Sequence, residues 1–144
     1  MSNAAEAALQ DLLFLNSAWA NVGDASGLQP SAADGNFYVS LHTADPGEAG
    51  NQQTSEATYT GYAREPITRD AAGFTRSVST VSNTATVQFD ECTGGSNVIT
   101  HFAVGTLSTG TGMIVVSGAL NTPRTITAGI TPLFNAGTLS ATVD

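Results

Sequence analysis

The chain lacks lysine and carries little charge of any kind. Its 144 residues hold four arginines and no lysine against 12 acidic residues, so the net charge is -8. Nucleic-acid affinity rests on clustered Lys and Arg, and anionic membrane surfaces also attract basic segments. The composition therefore predicts that the partner is neither nucleic acid nor a membrane.

Cysteine is nearly absent too, because Cys92 is the only one. A single cysteine excludes a disulfide within the chain and a zinc site built from several cysteines. We expect this thiol to be buried and not to act as a nucleophile, since two acidic residues precede it and disfavour a thiolate. The apolar run 12–15 is too short for a signal-peptide core or a membrane span, which predicts a soluble protein made in a cytoplasm.

Small neutral polar residues take the place of the missing charges. Charged residues make up 11% of the chain, well below the roughly 25% of an average protein. The hydrophobic fraction of 41% is that of a globular protein. A chain of this length suits one domain with one hydrophobic core.

The first 22 residues show a helical pattern. Asn3 and Glu6 are spaced as a capping pair, and alanines separate large apolar residues at near-helical spacing. We predict a helix from about Ala4 to about Ala20, followed by a Gly-, Ser- and Pro-containing connector over residues 23–35. The apolar residues in question are Leu9, Leu12, Leu13, Phe14 and Trp19.

From residue 36 onward, short stretches of alternating apolar and Ser/Thr residues are separated by glycine-rich turn signals. About eight such strands predict a mainly β fold over residues 36–144, an antiparallel β-sandwich or jelly roll with one N-terminal α-helix. The predicted strands lie at 36–42, 57–67, 73–81, 84–89, 97–104, 113–116, 125–127 and 138–143.

The loop after the first predicted strand carries a distinctive string of residues. Leu41 to Gly47 reads LHTADPG, and Tyr59 to Arg64 reads YTGYAR. Together with Gly50-Asn51-Gln52 and Glu56 between them, these strings resemble a family of small virion proteins of tailed bacteriophages. Its members are often labelled capsid fibre, head decoration or tail-fibre-like proteins. The resemblance covers roughly Phe37 to the C-terminus and implies a β-rich virion component present in many copies, without a catalytic residue.

Two functional hypotheses follow from this resemblance. The first is a capsid decoration (cement) protein on the outer capsid surface, which bridges major capsid protein subunits and pairs with its own copies as a homodimer or homotrimer. Synthesis in the cytoplasm of the host bacterium precedes assembly, and the negative charge favours the face away from DNA. The alternative is a capsid or tail fibre, or adhesin, domain that binds a host-surface glycan. An enzyme is not expected.

The side chains that resemble catalytic or metal sites have simpler interpretations. His42 and His101 each lie in a predicted strand beside threonine, which favours hydrogen-bonded strand histidines over metal ligands. Asp45, Glu48 and Glu56 match no known calcium-loop spacing, which favours an acidic surface loop. We therefore predict no catalytic residue, no cofactor and no metal.

Two features remain open as partner contacts. The apolar residues of the helix either pack on the chain's own β domain or bind a neighbouring subunit. Arg64 and Arg69, with Tyr59 and Tyr62, either contact a partner or form an internal salt bridge to a loop carboxylate. The candidate partner contacts are Leu9, Leu12, Leu13, Phe14, Trp19, Asp45, Glu48, Tyr59, Tyr62 and Arg64.

Overall fold

A computed structural model describes residues 1–23 and 26–142 of the chain. It is mainly β with several antiparallel sheets and one N-terminal helix, which confirms the predicted fold class. The elements of the described residues are α1 (Asn3–Phe14), β1 (Asn36–His42), β2 (Glu65–Thr68), β3 (Phe74–Ser77), β4 (Thr80–Asn83), β5 (Val87–Gln88), β6 (Ser96–Gly105), β7 (Ile114–Thr127), β8 (Leu133–Phe134) and β9 (Ser140–Thr142).

The chain folds into two compact units that interleave along the sequence. The first unit comprises residues 1–36, 67–86 and 135–144, and the second comprises residues 37–66 and 87–134. The single domain predicted from the chain length stays a prediction.

The second unit is built on β1, β6 and β7. The four-stranded sheet has the order β2-β1-β6-β7, and β1 pairs antiparallel with β6 from Tyr38 opposite Gly105 to His42 opposite His101. β7 is one continuous strand where two short strands were predicted, because β6 pairs with both its first and its last residues. The small and polar residues in its middle conceal the alternation that marks a strand.

The first unit combines α1 with the sheet β3-β4-β9. Phe14 is buried and meets Phe74 edge to face, with ring centroids 5.2 Å apart. The side chain of Arg76 donates two hydrogen bonds to the carboxylate of Asp11, at 2.6 and 2.9 Å, and so fixes the helix to β3. Both a hydrophobic and an ionic contact therefore hold α1 on its own unit.

The helix is shorter than predicted and is capped differently. The prediction of a helix to about Ala20 is wrong, because α1 ends at Phe14. Asn16 adopts a left-handed φ of 48°, and the N–H of Ser17 donates to the carbonyl of Asp11 instead of continuing the helix. The N-cap is Ser2, whose hydroxyl accepts from the backbone of Ala5, and not Asn3.

Four predicted strands also change their bounds, and the strand predicted over 84–89 covers only β5, Val87–Gln88. The predicted strand 57–67 is a strand only from Glu65. In the preceding segment the backbone N–H groups of Thr58 and Tyr59 donate to the side chain of Asn97 and not to a partner strand. The predicted strand 73–81 divides into β3 and β4, since Val78 takes a positive φ of 57° and reverses the chain. β9 occupies part of the predicted strand 138–143, whose last residue lies outside the described residues.

Candidate functional site

The loop that follows β1 is held by its own hydrogen bonds. Asp45 accepts a hydrogen bond from the backbone N–H of Gly47 at 2.9 Å, and Gly47 has a φ of 67° that favours glycine. The backbone N–H and the hydroxyl of Thr43 both donate to the carbonyl of Ser55. The Asp-Pro-Gly sequence thus forms the predicted turn, within a loop of defined shape.

The side chain of Arg64 holds this loop in place through an ion pair and hydrogen bonds within the second unit. Its Nε lies 2.6 Å from Oε1 of Glu56, and its Nη2 lies 2.8 Å from Oε2. The same guanidinium donates to the carbonyls of Leu107 and Gly110, at 2.9 and 2.8 Å. The hydrogen bonds that Arg64 donates to Glu56 raise the pKa of Arg64. With 7% of its surface exposed, Arg64 forms the internal salt bridge that was one of its two sequence-based interpretations.

The two tyrosines of this segment belong to the same network. The hydroxyl of Tyr62 donates to Glu56 at 2.9 Å and accepts from the backbone N–H of Leu41 at 3.1 Å. Tyr59 is buried and packs against the ring of Tyr62 at a centroid distance of 5.4 Å. Burial raises the pKa of Tyr62 and raises that of Tyr59 to about 12. Neither ring offers an exposed platform.

Gln52 is a structural residue that the sequence analysis did not single out. Its side chain is fully buried, donates to the carbonyl of Tyr38 at 3.2 Å, and accepts from the N–H of Leu107 at 3.0 Å. A Cβ at Gly105 or at Gly112 would come within 2.2 or 2.0 Å of this side chain. The only signal in the sequence was its place in the Gly-Asn-Gln string.

His42 is a hydrogen-bonded strand histidine. It is fully buried in β1, with Nδ1 2.8 Å from the carbonyl of Thr54 and Nε2 2.9 Å from the hydroxyl of Ser40. Burial lowers its pKa, so the ring is neutral, donates to Thr54 and accepts from Ser40. His101 contacts the hydroxyl of Thr100 at 2.9 Å.

Residues 1–23 and 26–142 contain no group of three His, Cys, Asp or Glu side chains placed to hold a metal ion. Cys92 is buried, with its sulfur 3.3 Å from the carbonyl oxygen of Gly94. No helix in these residues is long and apolar enough to cross a membrane.

An open groove lies beside the loop that follows β1. One wall is formed by Asp45, Gly47, Glu48 and Gly50. The other is formed by Met113 and the first four residues of β7, 114–117, and the groove has a volume of about 450 Å³. Asp45 and Glu48 are exposed. Of the candidate partner contacts, the structure brings these two together at one accessible site.

The candidate contacts of the N-terminal segment lie in the first unit. Leu9, Leu12 and Leu13 are half-buried, and Phe14 is buried. Trp19 is half-buried and forms an isolated β-bridge with Leu28. Phe14 therefore packs within its own unit, and a role for the others in partner binding stays a prediction.

Comparison with known proteins supplies the family. The family model described as podophage GP4 fiber I protein gp80 matches residues 1–142. A search of the curated proteins gives no match. Since the matched region is nearly the whole chain, this is a bacteriophage structural protein that belongs to the family of the podophage GP4 fiber I protein gp80.

Proposed function

We propose that the chain is a capsid decoration protein, which binds the outer surface of the phage capsid in many copies and stabilises the shell by bridging major capsid protein subunits. It acts through passive binding and carries out no chemical reaction. Family membership supports the broader statement that it is a structural component of the virion.

The observation that carries this proposal is that no aromatic side chain is fully exposed. The six phenylalanines, three tyrosines and one tryptophan are all buried or half-buried. Aromatic rings are amphipathic anchors where they are accessible, and a glycan-binding platform built from Tyr59 and Tyr62 would require them to be exposed. What remains accessible is a Thr- and Ser-rich surface with single aliphatic side chains, namely Met1, Leu28, Val78, Val98, Leu107, Met113, Ile130 and Leu133.

Such a surface suits attachment by many modest protein contacts. Contacts that exist only in the assembled shell favour the assembled state by mass action. Copies that associate as dimers or trimers bind through several contacts at once and gain avidity. The net charge of -8 keeps free copies apart in solution and favours the face of the shell turned away from DNA.

A second candidate is a subunit of a fibre on the capsid or the tail. The specific observation in its favour is the family description, which names a fiber protein. In this role the chain would attach to the particle at a few symmetric positions and not over the whole shell. The two candidates therefore differ in copy number and in position on the particle.

The proposal is tested by rebuilding the particle. Purified protein is mixed with shells that lack it, and the number of bound copies and the temperature at which the shells burst are measured. Saturable binding to the shell lattice with a higher bursting temperature is the expected result. Shells that already carry their full complement are the control, because their occupied sites bind no further copies. Wild-type protein that leaves the bursting temperature unchanged and does not bind contradicts the proposal.

A further inference from the structure

β7 is the last strand of the four-stranded sheet. In the order β2-β1-β6-β7 it has β6 as its one neighbour among the strands that the structure describes. A strand in this position presents backbone N–H and C=O groups along its outer edge, where another chain can pair with them. Natural proteins usually protect such an edge, so the protection of β7 is informative.

The protection covers only one half of the strand. Pro123 and Arg124 lie exposed in the distal half, and proline and charged residues are the usual devices that prevent strand addition. The stretch from Ile114 to Ser117 contains neither. A pairing irregularity there leaves Val115 as an extra residue. Such a bulge bends and twists the edge, which is a partial protection, but it leaves the backbone donors and acceptors of the strand in place.

The open groove runs along this unprotected stretch. Five consecutive residues, 113–117, line it. Beyond the irregularity at Val115, Val116 and Ser117 point to opposite faces of the sheet, and since both line the groove, it follows the strand edge. Five residues of strand span about 16 Å, so the groove accommodates a short extended segment.

The acidic side chains on the opposite wall of the groove favour an occupant with positive charge. Asp45 and Glu48 are exposed carboxylates on this wall, and none of the lining residues is basic. The hydrogen bonds from the N–H of Gly47 to Asp45, and from the N–H of Gly50 to the carbonyl of Gly47, hold the wall in shape. A second copy of this chain placed edge to edge would bring the two acidic walls together, which like-charge repulsion disfavours.

We propose that this groove binds an extended segment of a protein partner with Lys or Arg at alternating positions, which adds to the edge of β7 as a further strand. Backbone hydrogen bonds to β7 supply affinity, and the two carboxylates select for basic side chains. The inference rests on the proposed function in one respect, namely that the partner is another protein of the particle.

The test uses a fluorescent hexapeptide of alternating arginine and valine and the full-length protein. We expect saturable binding that weakens at least about tenfold when Asp45→Asn and Glu48→Gln are combined, and also in Ser117→Arg, which places a cation in the groove. The amide oxygen introduced by Asp45→Asn would still accept the hydrogen bond from Gly47. Glu91→Gln is the matched control, because it removes an exposed carboxylate elsewhere in the same unit and should leave binding unchanged.

A second peptide separates strand addition from general charge attraction. It carries proline in place of valine, so its charge is the same but it has fewer backbone donors. The inference is overturned if both peptides bind equally well or if the first peptide does not bind. It is also overturned if Glu91→Gln weakens binding as much as the combined Asp45→Asn and Glu48→Gln variant does.

Shell binding distinguishes failure of this inference from failure of the proposed function. If wild-type protein and Ser117→Arg bind shells equally, the groove is not the attachment site and the proposed function stands. If the wild type binds no shells, the proposed function fails, and the peptide measurements still decide whether the groove accepts a basic strand.

Discussion

At the scale of single residues, the most distinctive segment of the sequence serves the fold. Glu56, Tyr62 and Arg64 form one hydrogen-bonded network inside the second unit. Gln52 and His42 make further buried hydrogen bonds around the same loop. The side chains that first suggested a binding site are therefore those that give the loop its shape.

Replacing Arg64 with methionine tests this network. The change leaves the Glu56 carboxylate without its ion-pair partner and two carbonyls without a donor. We expect the free energy of unfolding to fall by about 3 kcal/mol. Arg124→Met is the matched control, since Arg124 is exposed and its loss should change stability by less than about 0.5 kcal/mol. Urea unfolding measures both, and equal effects would refute the structural role of Arg64.

His42 makes stability depend on pH. Burial lowers the pKa of His42 in the folded state below the ordinary 6.5 of the unfolded state. At pH values between these two pKa values, the unfolded state therefore binds more protons than the folded state. Stability is therefore lost as pH falls below about 6.5 and recovered as it rises. Glu65 acts in the opposite direction, because burial and the nearby Asp90 raise its pKa above 4.5.

Free energies of unfolding measured at a series of pH values test whether His42 lowers the stability of the protein as pH falls. Wild-type protein and His101→Gln should both lose stability as pH falls from about 7 to about 5. His42→Gln should show a shallower loss over the same window, whatever its stability at neutral pH. The same slope in all three proteins would show that His42 does not contribute.

Sequence analysis predicted part of this network. A histidine beside threonine in an alternating segment indicates a strand position, and His42 has it. The internal pairing of Arg64 was one of two alternatives, and the chain alone gave no means to choose between them. Gln52 was missed because its partners, Tyr38 and Leu107, are distant in sequence and only the fold brings them near.

At the scale of elements, prediction succeeded where one pattern spans the whole element. β1 has the predicted bounds, because its apolar residues continue into the buried centre of the sheet. α1 ended early, because a left-handed asparagine and not a glycine stopped it. The single strand predicted over 73–81 contains a turn at Val78, and no glycine or asparagine at that position indicates the turn in the sequence.

The turn at Val78 is therefore a site for stabilisation. This residue is 76% exposed and has a φ of 57°, which is unfavourable for a β-branched side chain. We expect Val78→Asn to raise the free energy of unfolding by about 1 kcal/mol, because asparagine tolerates this conformation. Val98→Asn, at an exposed position in β6, should lower it. Thermal unfolding of the two variants gives the comparison, and a destabilised Val78→Asn would contradict the strained turn.

At the scale of the whole molecule, two signals in the sequence agree with the structure and the family. The spacing of short strands indicated a mainly β fold, and the resemblance of the LHTADPG and YTGYAR segments implied a bacteriophage virion protein. The interleaving of two units was not predictable, because it depends on which distant segments pair. The position on the particle depends on which surfaces meet a partner, and the order of the residues along the chain does not identify them.

The central claim is that the chain occupies the outer surface of the capsid shell. Electron microscopy of intact particles labelled with antibody fragments against this protein tests that claim most directly. The account predicts label at regularly repeated positions over the whole shell. Label confined to the tail or to a few symmetric fibre positions would contradict the decoration role and establish the fibre role in its place.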